Sequence, residues 1–295
     1  MRTRIFVAAL VGLVSGTFCW FLLQRTHHQA ADFNWALWAA QDLLAHRNPY
    51  QRTMQLYPLP SALFALPLAS LPRPVAGGIF YGVSSALLAF AVTRYGYHRL
   101  LIFLAYPYWG ALFEVQWPTL ILAGAFLPLL LPAALAKPQL GLPVLLTSST
   151  RRGLFYCAAT LALTFFLVPG WVGGWLRQIG QYSHFYPLLV FPGPLLALAL
   201  LRFRERDARL LFIASIMPQR WFYDGFLLWF IPKSRREIVW TSFLSWAAGI
   251  WRWYHRPTSF TQVGRVAVLC FYLPMLAVIL LRPPTRSAEF SQPSA

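Results

Sequence analysis

Leu210-Leu211-Phe212-Ile213-Ala214-Ser215-Ile216-Met217-Pro218-Gln219-Arg220-Trp221-Phe222-Tyr223-Asp224-Gly225-Phe226-Leu227-Leu228-Trp229-Phe230-Ile231 is the stretch on which the fold turns. It is apolar except in its middle, from Pro218 to Asp224, and basic clusters flank it at Arg202 to Arg209 and Lys233 to Arg236. As one membrane span it would place a basic cluster on the outer side, against the bias that keeps Lys and Arg in the cytoplasm. As a hairpin with Pro218 to Asp224 as its far turn, it keeps both clusters inside. The hairpin is the reading carried along the rest of the chain.

Composition supports a membrane setting. Hydrophobic residues make up 58% of the 295 and charged residues 11%, where a soluble domain carries about a quarter charged. Mean hydropathy is +0.53. The formal charge of +17 comes from 23 Arg and 2 Lys against 8 acids. The basic residues fall in short segments between apolar runs, at Arg2/Arg4, Arg151/Arg152 and the two clusters above. No long basic face exists to follow a phosphate backbone, so no nucleic acid partner is expected. Cys19, Cys157 and Cys270 are far apart inside apolar runs and make neither a disulfide framework nor a metal set. The histidines have no metal-ligand spacing, so no metal and no cofactor are expected.

Ile5 to Leu23 reads as an uncleaved first helix with its N-terminus in the cytoplasm. An outer loop, residues 24–58, follows. Within it, Asp32 to Ala45 lacks Pro and Gly, and Phe33, Leu37, Ala40 and Leu44 recur at helical spacing, which predicts an amphipathic helix. Trp35 and Trp38 would seat it among lipid headgroups. Ten further apolar runs follow, from Pro58 to Leu71 through Val263 to Leu281, many short and broken by Pro. The expected fold is all-α: a polytopic transmembrane bundle of about 10–12 helices, several short or broken. It forms one membrane domain, residues 1–281, with a flexible cytoplasmic tail, residues 282–295. On this topology Asp32, Asp42, Lys137, Arg220, Asp224 and His184 fall outside, Glu114 ends a run on the inner side, and the basic loop Arg94 to Arg99 falls outside as the one exception to the charge rule.

An acid, a base and cations gathered at a bilayer surface suit deprotonation of a hydroxyl and charge stabilisation of a phosphate. From its type and place alone Asp32 reads first as an N-cap and second as a general base, two roles that one residue can combine. Asp42 reads as a solvated face residue. Lys137 suits either snorkelling to the headgroups or a phosphodiester contact.

Four stretches together resemble glycosyltransferases of family 87, in the polytopic C superfamily that uses lipid-phosphate sugars. They are Asp32-Phe33 with Asn48-Pro49-Tyr50; Tyr57-Pro58-Leu59-Pro60 running to Leu71-Pro72; Lys137-Pro138-Gln139-Leu140 followed by Arg151-Arg152; and Pro218 to Tyr223-Asp224. The family's Gly-Gln element reads Gln116-Trp117-Pro118 here. The resemblance implies transfer of a sugar, often mannose, from a polyprenyl-phosphate donor to a lipid or glycan acceptor at the outer face of the cytoplasmic membrane. It implies Asp32 as general base and Lys137 and Arg220 at the donor phosphate. Asp42, Tyr50, Gln139, Tyr223 and Asp224 are then substrate contacts or supports. The rival readings are a transporter or lipid flippase, whose helices are also short and Pro-broken, and a non-catalytic family relative in envelope assembly.

Overall fold

The computed structural model describes residues 1–51, 55–180, 183–257 and 259–283. Helix dominates, and among the described residues the only β pairing is a single antiparallel bridge between Phe185 and Gln219. Three helices are long and apolar enough to cross a membrane: Arg2–Thr26, Arg73–Tyr95 and Phe260–Leu281. A fourth candidate is a bent pair, Arg151–Leu167 with Trp171–Ile179, which turn 95° from one another.

The first of these, α1 (Arg2–Thr26), packs antiparallel to the helix Arg73–Val92 through facing small residues. A Cβ on Gly82 would stand 2.8 Å from the Gly12 carbonyl oxygen and 3.0 Å from the Gly16 Cα, and one on Gly16 would stand 2.9 Å from the Gly78 oxygen. Glycine at all four places lets the backbones meet where apolar burial gives little drive between helices in lipid.

The remaining α-helices, most of them short, are α2 (Asn34–Leu44), α3 (Pro60–Ala65), α4 (the Arg73–Val92 helix), α5 (Tyr106–Phe113), α6 (Pro118–Gly124), α7 (Pro138–Ser148), α8 (Arg151–Leu167), α9 (Trp171–Ile179), α10 (Arg206–Ile216), α11 (Arg235–Tyr254), α12 (Phe260–Ala267) and α13 (Leu273–Leu281). Among the described residues four stretches of eight or more residues wind as 3-10 helix: Tyr97–Leu104, Pro128–Ala136, Gly193–Arg202 and Phe222–Phe230. At about 2.0 Å per residue a 3-10 helix reaches further than an α-helix of equal length.

The deciding stretch does fold back on itself. Lys233 Nζ lies 2.9 Å from Asp207 Oδ1, so the two flanking clusters meet at one end of the molecule. Arg282 ties the same end together. Its guanidinium donates to both carboxylate oxygens of Glu237 (2.8 and 2.7 Å) and to Asp207 Oδ2 (2.8 Å). Burial alone would raise the Glu237 carboxyl, but the bonds from Arg282 and from the Lys233 and Ser234 backbone outweigh it and pull the pKa down to about 2. Arg282, expected to begin a flexible tail, is thus the clasp of this end. Residues 284–295 lie outside the described residues.

Two expectations about sides are corrected here. Arg99 donates to the Pro232 carbonyl and His98 Nε2 lies 3.0 Å from the Lys233 carbonyl oxygen, so the loop Arg94 to Arg99 joins the basic end and is no exception. Glu114 belongs to the opposite end, because its carbonyl accepts the Asp32 backbone N–H at 3.2 Å. Both errors have one cause. The run Pro58 to Leu71 forms only the six-residue α3 and a 3-10 turn, Leu66–Leu68. Both of its ends stay near the Asp32 loop: Tyr57 reaches Gln116, and the Ala69 carbonyl accepts from Gln41 of α2 at 2.9 Å. Counting that run as a crossing reversed the sides of the next two connections.

Candidate active site

Phe33 and Trp117, each following a polar residue in sequence, share one aromatic cluster. Phe33 stacks on Phe80 at 4.1 Å between centroids, and Trp117 sits among Phe80 (4.9 Å), Phe64 (5.9 Å), Tyr57 and Phe33 (both 6.0 Å). Both are fully buried. Such aromatic pairs hold position as well as burying area, and they fix the residues just before them, Asp32 and Gln116, face to face.

The Gln116 side-chain N–H donates to Asp32 Oδ2. The other end of the same amide accepts from Lys137 Nζ at 2.9 Å and from the Tyr57 hydroxyl at 3.4 Å. Tyr223 donates its hydroxyl to Asp32 Oδ2 at 3.3 Å. Lys137 Nζ also lies 2.7 Å from Asp224 Oδ1 and 4.7 Å above the Tyr223 ring. Asp224 Oδ2 in turn accepts the Arg220 backbone N–H at 3.0 Å. The result is one connected chain of polar groups, Asp32–Gln116–Lys137–Asp224, with Tyr223 closing it.

Both bonds to Asp32 go to one carboxylate oxygen, which leaves Oδ1 for a ligand. Burial raises the Asp32 pKa, while the charges of Lys137 and Arg220 and the Tyr223 bond oppose that rise. The carboxylate caps no helix: α2 begins after Phe33 and shows no side-chain cap bond. The N-cap alternative for Asp32 is therefore set aside.

Beside this chain lies a cavity of about 400 Å³. Lys137, Gln139, His184, Gln219 and Arg220 are its polar lining, and Leu135, Leu142, Leu145, Ile179 and Met217 are among its apolar lining. Lys137 does not snorkel: its side chain is 2% exposed and its ammonium is held by Asp224 and Gln116.

The other expected site residues lie apart. Asp42 stands at the far end of α2, about 15 Å along the axis from Asp32. It is buried, not solvated, and pairs with Arg47 at 2.8 Å. Tyr50 serves the scaffold: its hydroxyl donates to the Tyr57 carbonyl (3.0 Å), its ring stacks on Trp171 (6.3 Å), and its own carbonyl accepts from Gln178 (3.1 Å).

Sequence reading passed over Gln116 and Tyr57. Val115 stands before Gln116 with φ of 49°, the left-handed conformation that glycine adopts most readily. Ala31, before Asp32, has φ of 45°. Two left-handed residues thus meet where the Asp32 N–H bonds the Glu114 carbonyl.

No family model matches this chain, and no curated protein or solved structure is significantly similar to it.

Proposed function

We propose that this protein is a membrane glycosyltransferase that moves a sugar, with mannose the expected one, from a polyprenyl-phosphate donor to a lipid or glycan acceptor. The observation that carries the reading is a carboxylate, Asp32, with one oxygen held by Gln116 and Tyr223 and the other open, linked through Gln116 to Lys137 on the wall of a cavity lined by both cationic and apolar side chains. A lipid monophosphate has that same division of chemistry. The membrane setting is supported by the three apolar helices. The segregation of Arg99, Arg202, Lys233 and Arg282 to the end away from Asp32 supports a cytoplasmic N-terminus and an outward-facing site.

In the reaction, an acceptor hydroxyl oxygen bonds to the anomeric carbon as the bond from that carbon to the phosphate oxygen breaks. The bonding electron pair leaves with the phosphate, and Asp32 Oδ1 takes the hydroxyl proton. Arg220, on the cavity wall, faces the departing phosphate. Lys137, with two of its three N–H donors engaged by Asp224 and Gln116, adds its positive charge on the same side. Tyr223 and Gln116 hold the base in place. Asp224 keeps the Lys137 charge buried.

The test is transfer of radiolabel from polyprenyl-phosphate mannose to a membrane-lipid extract by purified protein in lipid. Asp32→Asn is expected to cut the rate at least about 100-fold while donor binding survives. Full activity in that variant would sink the assignment of the base. Movement of an unmodified substrate across sealed vesicles, with no new product, would favour a transporter instead.

A further inference from the structure

Seven of the eight acids in the chain lie in described residues, and six of them are held by a partner. Asp32 has Gln116 and Tyr223, Asp42 has Arg47, Glu205 has Arg202, Asp207 has Lys233 and Arg282, Asp224 has Lys137, and Glu237 has Arg282. Among the described residues, only the Glu114 carboxylate has neither a hydrogen bond nor an ion pair. It is not on open surface either: it is half-buried at the end of α5. Burial raises its pKa, and the nearby Asp32 charge raises it further. Leaving such a group unpaired is unfavourable, and the strained turn at Val115 holds it there.

What surrounds Glu114 narrows the ligand. Arg252, Arg220 and His28 are within electrostatic reach of it. The Arg252 guanidinium lies 5.1 Å over the half-buried Trp221 ring, which packs on Phe260 at 5.5 Å. A carboxylate, two guanidinium groups and an aromatic cluster therefore gather around Glu114, whose carbonyl accepts the Asp32 backbone N–H. Hydroxyls can donate to the carboxylate and accept from guanidinium. A cationic ligand would be repelled by the two arginines. Among the described residues no group of three His, Cys, Asp or Glu could hold a metal ion.

We propose that Glu114 positions a saccharide or other polyol acceptor, accepting a hydrogen bond from a hydroxyl next to the one that Asp32 deprotonates. The proposal rests on the reading of Asp32 as the base. Glu114 forms no bond to carbon and takes up no proton, so it is a positioning residue. The acceptor class follows from it: a compound with at least two neighbouring free hydroxyls.

The test uses the full chain in lipid nanodiscs with octyl mannoside, kept below its micelle concentration, as the probe and saturation-transfer NMR as the readout. Wild type should bind the glycoside, and Glu114→Gln should weaken binding by about tenfold or more, the worth of one hydrogen bond to a charged group. Glu114→Asp should recover part of the loss. Binding of undecaprenyl phosphate should not change in either variant, which separates lost positioning from lost folding. A series of mono-deoxy mannosides should contain one member that binds wild type as weakly as the intact sugar binds Glu114→Gln.

Equal glycoside binding by wild type and Glu114→Gln would overturn the proposal, as would no binding by wild type. Should the variants fail to fold, a deoxy series without one outstanding loss in wild type overturns it on its own. The transferase reading fails separately. A wild type that binds the glycoside through Glu114 yet never transfers label leaves the saccharide contact standing and removes the reaction.

Discussion

Lys137 and Asp224 form an ion pair at 2.7 Å with side chains 2% and 1% exposed, one at the end of the Pro128–Ala136 stretch and the other early in Phe222–Phe230. Removing one partner of a buried pair leaves an uncompensated charge, at a loss of about 3–5 kcal/mol, whereas replacing both with apolar residues is much milder. Lys137→Met should therefore melt far below wild type in nanodiscs. The double variant Lys137→Met, Asp224→Leu should regain much of the loss in melting temperature without regaining transfer. A Lys137→Met protein that melts with wild type would show that the pair holds nothing together.

The raised pKa of Asp32 sets the sign of two pH effects. Only the ionised carboxylate accepts a proton, so the transfer rate should climb as pH rises through that upward-shifted pKa. Stability runs the other way. A group that burial holds protonated contributes its stability below the ordinary carboxylate pKa and loses it as pH rises through the folded value. A pH–rate profile and a parallel series of melting curves check both, and Asp32→Asn should remove the pH dependence of stability that belongs to this group. A rate that falls with pH over the same range would contradict the base assignment.

Val115 is fully buried yet left-handed. Val115→Gly loses a side-chain burial worth about 1.5–3 kcal/mol but relieves a backbone strain of about 1–2 kcal/mol. The net loss should stay below about 2 kcal/mol. Val144, equally buried but inside α7, has no strain to relieve, so Val144→Gly should lose clearly more, with about 1 kcal/mol of helix penalty added to the burial. Equal losses in the two variants, measured by thermal denaturation, would mean that the Val115 conformation is not strained.

The contact between α1 and α4 allows a sharper steric test. Gly82→Ala places a methyl group against the Gly12 carbonyl and the Gly16 Cα, an overpacking loss of about 1–3 kcal/mol. At Gly173 in α9 the nearest atom to an added methyl group is the end of the Arg177 side chain at 3.9 Å. Gly173→Ala should therefore be neutral or slightly stabilising, by at most about 1 kcal/mol. Melting curves of the two variants should move in different directions.

Residue types carried much of the site. Asp32, Lys137, Tyr223 and Asp224 come together in the structure, with Arg220 at the adjoining cavity, and the hairpin from Leu210 to Ile231 follows from the charges at its ends. Sides were harder to read, because a run of apolar residues does not declare whether it crosses or turns back. Pro58 to Leu71 has apolar content enough for a helix, but its prolines leave only six residues of α-helix. Conversely, Phe222–Phe230 gains reach by winding as a 3-10 helix, which no hydropathy pattern reveals. Gln116 was hidden for another reason: a lone Gln in an apolar stretch has no spacing to flag it, and its partners are distant in sequence.

The neutrality of the Gln116 amide has an effect of its own. It stands between a carboxylate and an ammonium group that would otherwise form a direct pair and lock each other's charge state. With an amide interposed, the carboxylate proposed as the base is kept out of the ion pair that Lys137 makes with Asp224. Gln116 works as a spacer: the Lys137 charge still reaches Asp32 through space, but no proton is shared between them.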